Sequence, residues 1–290
     1  MKLRVQIIFV SAILALLYFL FPLQSEPPSE ESIIFFPIDP NIRFHKTKTV
    51  LSLQSKKINT HYTLRWNVVS SLDRKAYLRQ DISLLFGNGR LKGNISKWRE
   101  SSQTILQERD IHLRDSQLYQ TISFHYGEIH DNNSIKSSQK MSTDQLYVVD
   151  SAFYPLTAFR EARTREEREW KKVLTDTTKE FLDYKRKQLI KYYSIYERNY
   201  YSFYLTDLVV YNERPLPNIS VVETQKMIGN LWEGLYKNYF LGIKKEDGTI
   251  MSPIESTMPV ILISKDYSHL LVLFETQNGT KIKLVQQIFQ

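Results

Sequence analysis

The sequence contains no cysteine. That absence excludes thiol catalysis, disulfide exchange, iron–sulfur clusters, cysteine-ligated zinc and lipid attachment through an N-terminal cysteine. It fits an exported protein that uses no disulfides. Glycine is scarce, at nine residues, and no phosphate-binding glycine loop is present. Also missing are a Gly-x-Ser-x-Gly nucleophile elbow and a His-Glu-x-x-His metal helix. There is no finger or helix-turn-helix signature and no dense run of arginine and lysine, so nucleic acid is not expected as a partner. The formal net charge is +8, and +6 without Lys2 and Arg4. So modest an excess reads first as ordinary solubility; the charged surfaces it would favour are anionic lipid or anionic wall polymer.

Long apolar runs are missing after residue 23, and the one before it stands out for that reason. Lys2 and Arg4 precede Val5 to Phe21, which is apolar except for Gln6 and Ser11. Pro22 and the polar stretch Gln24 to Glu31 follow. At 1.5 Å per residue, residues 5–23 span roughly 28 Å, enough for a bilayer core of about 30 Å. The expectation is a cytoplasmic stub at 1–4, a transmembrane signal-anchor at 5–23 and an acidic, proline-containing stalk at 24–32. The basic end would be cytoplasmic and the remainder extracytoplasmic. A cleaved signal peptide is the rival, but the exit Tyr18 to Leu23 is bulky where a cleavage site needs small residues. The lipid bilayer is thus one expected partner, through residues 5–23, and the expected location is the cell membrane with a single pass. The lysine-, isoleucine- and tyrosine-rich composition suits a bacterium.

Beyond the stalk the pattern alternates between strand and helix. His61 to Val69 places Tyr62, Leu64, Trp66 and Val68 on one face and His61, Thr63, Arg65 and Asn67 on the other, the period of two that marks a strand. Ile82 to Phe86 runs into Gly87-Asn88-Gly89, a hairpin turn, and out through Arg90 to Ile95. Leu118 to Tyr126 and Gln145 to Val149 read as further strands, with the polar stretch His130 to Met141 between them read as a loop. Thr164-Arg165-Glu166-Glu167 is a capping box opening a helix. Its apolar stripe reads Trp170, Val173/Leu174, Thr177, Phe181 and Tyr184, with a break expected between 193 and 202. A second capping box, Ser220 to Glu223, opens a helix through Met227/Ile228, Leu231/Trp232, Leu235 and Tyr239. Val260 to Ile263, His269 to Glu275 and Lys281 to Phe289 form a strand meander. The expected fold is α+β: an N-terminal transmembrane helix, then an ectodomain of antiparallel sheet and two amphipathic helices. A mainly β region covers 33–160, and the helical pair with the meander covers 161–290, packed against it.

Candidate chemistry is sparse. His125, Glu128 and His130 are the densest potential metal group, yet on a strand Glu128 and His130 share a face and His125 points away. Ser137-Ser138-Gln139-Lys140 matches Ser-x-x-Lys, but the partner motifs Ser-Asp-Asn and Lys-Thr-Gly are missing. Asp81, Asp207 and Glu233 lie beside apolar residues, where a salt bridge or a cap explains each more cheaply than catalysis. No catalytic, cofactor-binding or metal-binding residue is assigned, and no cofactor is expected. Seven tyrosines fall between 184 and 204, read mainly as a core edge and secondarily as a binding face. The order of anchor and ectodomain resembles that of small membrane-anchored accessory proteins of Gram-positive bacteria that restrain sensor kinases; no motif carries residues over. The function expected is a non-enzymatic protein that binds another membrane or envelope protein. An envelope hydrolase acting on glycan or peptide is the alternative. The first predicts an exposed apolar or aromatic patch or an open strand edge, the second a cleft with convergent ionisable groups.

Overall fold

The computed structural model describes residues 36–54, 61–131, 134–152, 154–244 and 248–288. All belong to one compact unit, Ile34–Gln290. The stub, anchor and stalk expected at 1–32 lie outside the described residues. Among those described, no helix is long and apolar enough to cross a membrane.

The first half of the domain is a six-stranded antiparallel sheet: β1 (Phe44–Leu53), β2 (Tyr62–Gly87), β3 (Arg90–Leu113), β4 (Gln117–Asp131), β5 (Ser134–Ser151) and β6 (Tyr154–Phe159). The alternation read at 61–69 holds, since Tyr62, Leu64, Trp66 and Val68 are all buried. The Asn88-Gly89 turn holds as well. Both residues take positive φ, 47° and 78°, and a Cβ on Gly89 would stand 2.7 Å from Leu182 Cδ2. Only glycine tolerates both the backbone and the close neighbour.

The strand β2 organises the sheet. One of its edges pairs β3 along nearly the whole length. Its other edge is shared, with Leu64 to Leu72 pairing β1 and Leu78 to Gly87 pairing β4. Between these halves the register slips from Ser71/Thr104 to Ala76/Ser102, a bulge that bends the strand. The bend turns the sheet back on itself, so that β1 crosses β4 and β5. Thr49 Oγ1 shares hydrogen bonds of 2.6 Å with Ser123 Oγ and 2.7 Å with Ser142 Oγ. Ile38 bridges Ser137 in parallel, and the sheet is nearly closed. The apolar core inside includes Leu51, Tyr62, Leu64, Trp66, Leu85, Tyr119, Leu146 and Val148.

The polar stretch His130 to Met141 is not a loop. Strand β4 continues to Asp131, β5 begins at Ser134, and Ile129 to Met141 join the β4–β5 ladder apart from the turn. Small hydroxyls made this possible. Ser137 and Ser138 are buried, but their Oγ atoms donate to Phe36 O at 2.6 Å and Ile42 O at 2.8 Å. A buried polar side chain that finds a partner costs little, so composition misled here.

The 28-residue helix α1 (Arg165–Tyr192) starts with the expected capping box, Thr164 with Glu167. It stops at Tyr193, inside the expected break. Its buried face keeps part of the stripe read from the sequence, with Leu174 buried and Trp170 packed beside it, and shifts elsewhere: Thr178, Leu182 and Leu189 are buried, whereas Val173 and Tyr184 are 53% and 58% exposed. At roughly 42 Å long, α1 serves two sheets. Leu174 packs with Leu118, Tyr147, Val149 and Phe159 of the first sheet. Leu189 packs with Val260, Leu262, Leu271 and Leu273 of the second. That second sheet comprises β7 (Tyr200–Tyr204), β10 (Val260–Ser264), β11 (His269–Glu275) and β12 (Lys281–Gln287). Its order is β12-β11-β10-β7. The meander β10 to β12 matches the expectation; β7 was unforeseen.

Helix α2 (Val221–Leu235) opens on the Ser220/Glu223 capping box and buries Met227, Ile228, Leu231, Trp232 and Leu235. Trp232 stacks on Phe124 at 5.1 Å and donates Nε1 to Met141 Sδ at 3.4 Å, which seats α2 on the outside of β4 and β5. A π-helical turn, Tyr236–Phe240, follows. A two-stranded ribbon, β8 (Ile243–Lys244) with β9 (Ile250–Met251), completes the chain order.

Candidate functional site

Three places carry polar or exposed chemistry. The first is inside the sheet. Register sets Asp81 of β2 opposite His125 of β4, and Ser123 of β4 opposite Ser142 of β5. Asp81 Oδ2 lies 2.9 Å from His125 Nδ1, and His125 Nε2 lies 2.8 Å from Ser142 Oγ. These are the spacings of an Asp–His–Ser nucleophile relay, assembled from residues that no sequence motif connects.

Three features argue that the relay is structural. Asp81 and His125 have no solvent exposure, Ser142 is buried, and none of the clefts described below reaches it. The Asp81–His125 contact is close but misaligned, so neither atom makes a hydrogen bond there. Ser142 Oγ is also engaged by Thr49 Oγ1 at 2.7 Å. The network continues through Ser70 Oγ, which donates to Asp81 Oδ1 at 2.9 Å. Buried Arg79 donates Nε to Tyr126 O at 3.1 Å, and its Nη2 approaches Asp81 Oδ1 at 3.7 Å. Burial pushes the Arg79 guanidinium below its usual range, and the Asp81 charge opposes that. Two opposite charges thus compensate each other in the core, and breaking such a pair is costly.

His125, Glu128 and His130, the densest potential metal group of the sequence, divide as strand alternation requires. His125 faces inward to Asp81 and Ser142. Glu128 pairs with His130, which stacks on Tyr77 at 3.8 Å. Among the described residues no three His, Cys, Asp or Glu side chains converge as metal ligands do.

The second place is a polar cleft of about 360 Å³ lined by Gln120, Thr121, Thr143, Asp144, Gln145, Thr206 and Asp207. It sets Asp207 in the same wall system as a second acid, Asp144. Their environments are unlike. Asp207 sits at the exposed mouth, where its Oδ2 accepts from Tyr204 N at 3.1 Å. Desolvation by the cleft walls raises its carboxyl above the ordinary range. Asp144 is fully engaged: Arg160 Nε and Nη2 donate to its two oxygens at 2.8 and 2.7 Å, and Leu51 N donates at 2.7 Å. That bidentate pair ties β1 and β5 to the chain after β6. Glu233, by contrast, pairs with Lys237 at 2.7 Å and is the sole acid lining its own cleft of about 380 Å³.

The third place is an edge. Strand β3 pairs β2 on one side. On its other side Arg90 bridges Thr257, and Leu91 exchanges hydrogen bonds with Glu255 and Ser256. From Lys92 to Leu113 that side pairs no strand among the described residues. Trp98 and Leu106 on this strand are 46% and 57% exposed, among Lys97, Arg99, Glu100, Glu108, Arg109 and Asp110. Ser101 takes φ 47°, which kinks the edge in its middle. Side chains bond some of its carbonyls, with Lys97 Nζ donating to Leu106 O at 2.8 Å and Arg109 Nη1 to Asn94 O at 3.0 Å; these charges guard against indiscriminate pairing, and a matched strand would take their place. The sequence showed neither the length of this strand nor its edge position, because both follow from which strand pairs which. Comparison with protein-family models and with curated proteins finds no match for this chain.

Proposed function

We propose that this chain is a membrane-anchored, extracytoplasmic binding protein without catalysis of its own, whose partner is another membrane or envelope protein. The observation that carries the reading is the open edge of β3, with exposed Trp98 and Leu106 on a strand whose outer backbone groups have no ladder. Pairing along such an edge supplies affinity through main-chain hydrogen bonds, and the exposed side chains supply selectivity. The interior relay supports the same reading, since its nucleophile-like serine is sealed and doubly engaged. The anchor expected at 5–23 would hold the domain where such a partner resides.

Photo-crosslinking in intact cells tests this. A photoreactive residue at Trp98 or Arg109 is expected to capture one membrane or envelope protein, and one at Val222 on α2 is not. Trp98→Ala with Leu106→Asp should abolish capture and leave the fold intact by circular dichroism. A folded protein that captures no specific partner at any β3 position sinks the proposal.

The cleft holding Asp207 and Asp144 favours hydrolysis of an envelope glycan as the second reading. Two acids in unlike surroundings line it, Asp207 with its carboxyl raised by desolvation and Asp144 bound by Arg160, and unlike carboxyl environments are what a glycosidase needs. The engagement of both Asp144 oxygens by Arg160 and Leu51 N weighs against it. Release of reducing ends from wall glycan by the native chain, lost in Asp207→Asn, would reverse the ranking.

A further inference from the structure

The tyrosines that composition spread between 184 and 204 are gathered by the fold with basic residues from a distant strand. On α1, Tyr184, Gln188 and Tyr192 follow one another at four-residue spacing, with Lys187 and Lys191 on the adjoining line. Tyr184 and Tyr192 are 58% and 63% exposed. The C-terminal end of α1 is fixed to β12: Tyr193 Oη donates to Lys281 O at 2.7 Å. Lys281 Nζ lies 4.8 Å from the Tyr192 ring centre and Lys283 Nζ lies 5.0 Å from that of Tyr193. Next along the chain, the Arg198 guanidinium lies 4.9 Å over Tyr196, itself 64% exposed.

The charge of this face is one-sided. Between Tyr184 and Tyr200 the sole acid is Glu197, and it is paired with Arg186. Strand β12 has no acid, and the acid Glu275 on β11 is taken by Lys185 at 2.6 Å. Among the described residues, Lys187, Lys191, Arg198, Lys281 and Lys283 have no carboxylate partner, and they are interleaved with amphipathic rings. Tyrosine and lysine in that mixture suit the polar boundary of a bilayer, where the ring meets acyl chain, the hydroxyl meets headgroup and the ammonium meets phosphate.

We infer that this tyrosine–lysine face, built by the C-terminal half of α1 and by β12, docks on an anionic phospholipid surface. Docking would fix the orientation of the domain against the bilayer and leave β3 to its protein partner. The inference uses the anchoring reading above but is separable from it. Each cation near an anionic leaflet strengthens the association about fivefold, and salt weakens it within a Debye length of about 8 Å at physiological strength.

The test uses the full chain, mixed with vesicles of zwitterionic phosphatidylcholine or with vesicles containing about 30% phosphatidylglycerol. Flotation reports attachment. An environment-sensitive fluorophore at Gln287→Cys, unique because the chain has no other cysteine, reports contact by the face. Expected are flotation with both vesicles and a severalfold protection of the probe with the anionic vesicles only. That protection should vanish in about 0.5 M salt and in the variant combining Lys187→Glu, Lys191→Glu, Lys281→Glu and Lys283→Glu. Flotation with both but equal probe signals keeps the anchor and overturns the docking face. Salt-sensitive flotation with anionic vesicles alone supports the face and overturns the anchor. Flotation with neither overturns both. Probe protection by soluble polyglycerol phosphate without any by anionic vesicles assigns the face to a wall polymer and overturns the lipid assignment.

Discussion

Asp81 and His125 face each other across the β2–β4 ladder, 2.9 Å apart and sealed from solvent. Asp81 is at once the nearest carboxylate to buried Arg79 and the acceptor of the Ser70 hydroxyl. It therefore neutralises charge and joins the two halves of β2, through Ser70, to the β2–β4 ladder. Asp81→Ala would leave Arg79 as an uncompensated buried cation, and a loss of about 3–5 kcal/mol is expected in urea unfolding. Replacing Arg79 as well, as in Arg79→Met with Asp81→Leu, should recover part of that loss. A single-variant cost below about 1 kcal/mol would show that Asp81 does not perform this role.

Ser142 has the position of a nucleophile without its access. A fluorophosphonate probe is expected to leave the native chain unlabelled. Ser142→Ala should cost about 1–3 kcal/mol, because His125 Nε2 and Thr49 Oγ1 both lose a partner in the core. Labelling that disappears in Ser142→Ala would contradict the sealed arrangement.

Two aspartates should respond to pH with opposite sign. Asp266, in the turn between β10 and β11, accepts from Ser268 N at 3.0 Å and Ser268 Oγ at 2.8 Å, and these bonds hold its carboxyl down at about 2. A depressed carboxyl stabilises the fold above its unfolded value near 3.8 and loses that effect as pH falls through about 2. Asp266→Ala should therefore lower Tm at pH 7 and approach the native value in strong acid. The Asp207 carboxyl is raised by desolvation, so its ionisation opposes folding once pH exceeds the unfolded value. Asp207→Asn keeps an acceptor for Tyr204 N and should raise Tm at pH 7. Because Asp207 is exposed, the gain should be below about 1 kcal/mol, and it should vanish below pH 3.8. Equal responses of the two variants across this range would refute the assignment.

The buried face of α1 can be read out by substitution. Leu174→Ala and Leu189→Ala, one against each sheet, should each cost about 2–5 kcal/mol. Val173→Ala and Tyr184→Ala should stay within about 0.5 kcal/mol. Thr164→Ala should cost about 1 kcal/mol through loss of its bond to Glu167 N. A Val173→Ala cost as large as that of Leu174→Ala would place Val173 in the buried face and contradict this assignment.

What the sequence determined by itself was local. Period-two burial at Tyr62 to Val68, the Asn88-Gly89 turn, both capping boxes and the meander from Val260 depend on backbone dihedrals and near neighbours, and these are written in short windows of residues. The absence of cysteine settled which chemistries were excluded, and the apolar run at 5–23 raised an anchor that lies outside the described residues. The tertiary structure decided everything that depends on pairing. The polar stretch 130–141 became ladder because Phe36 O and Ile42 O were brought to Ser137 and Ser138. The face of α1 kept Trp170 and Leu174 but shifted away from Val173 and Tyr184, because two sheets receive it. The Asp81–His125–Ser142 relay, the Asp144–Asp207 cleft, the open edge of β3 and the tyrosine–lysine face each join residues from separate strands or helices. Strand register and the bend in β2 set the geometry of those in the first sheet, and the docking of α1 on β12 sets that of the tyrosine–lysine face. A linear sequence states which side chains are available; closure of the sheet decides which of them meet and which are left facing water.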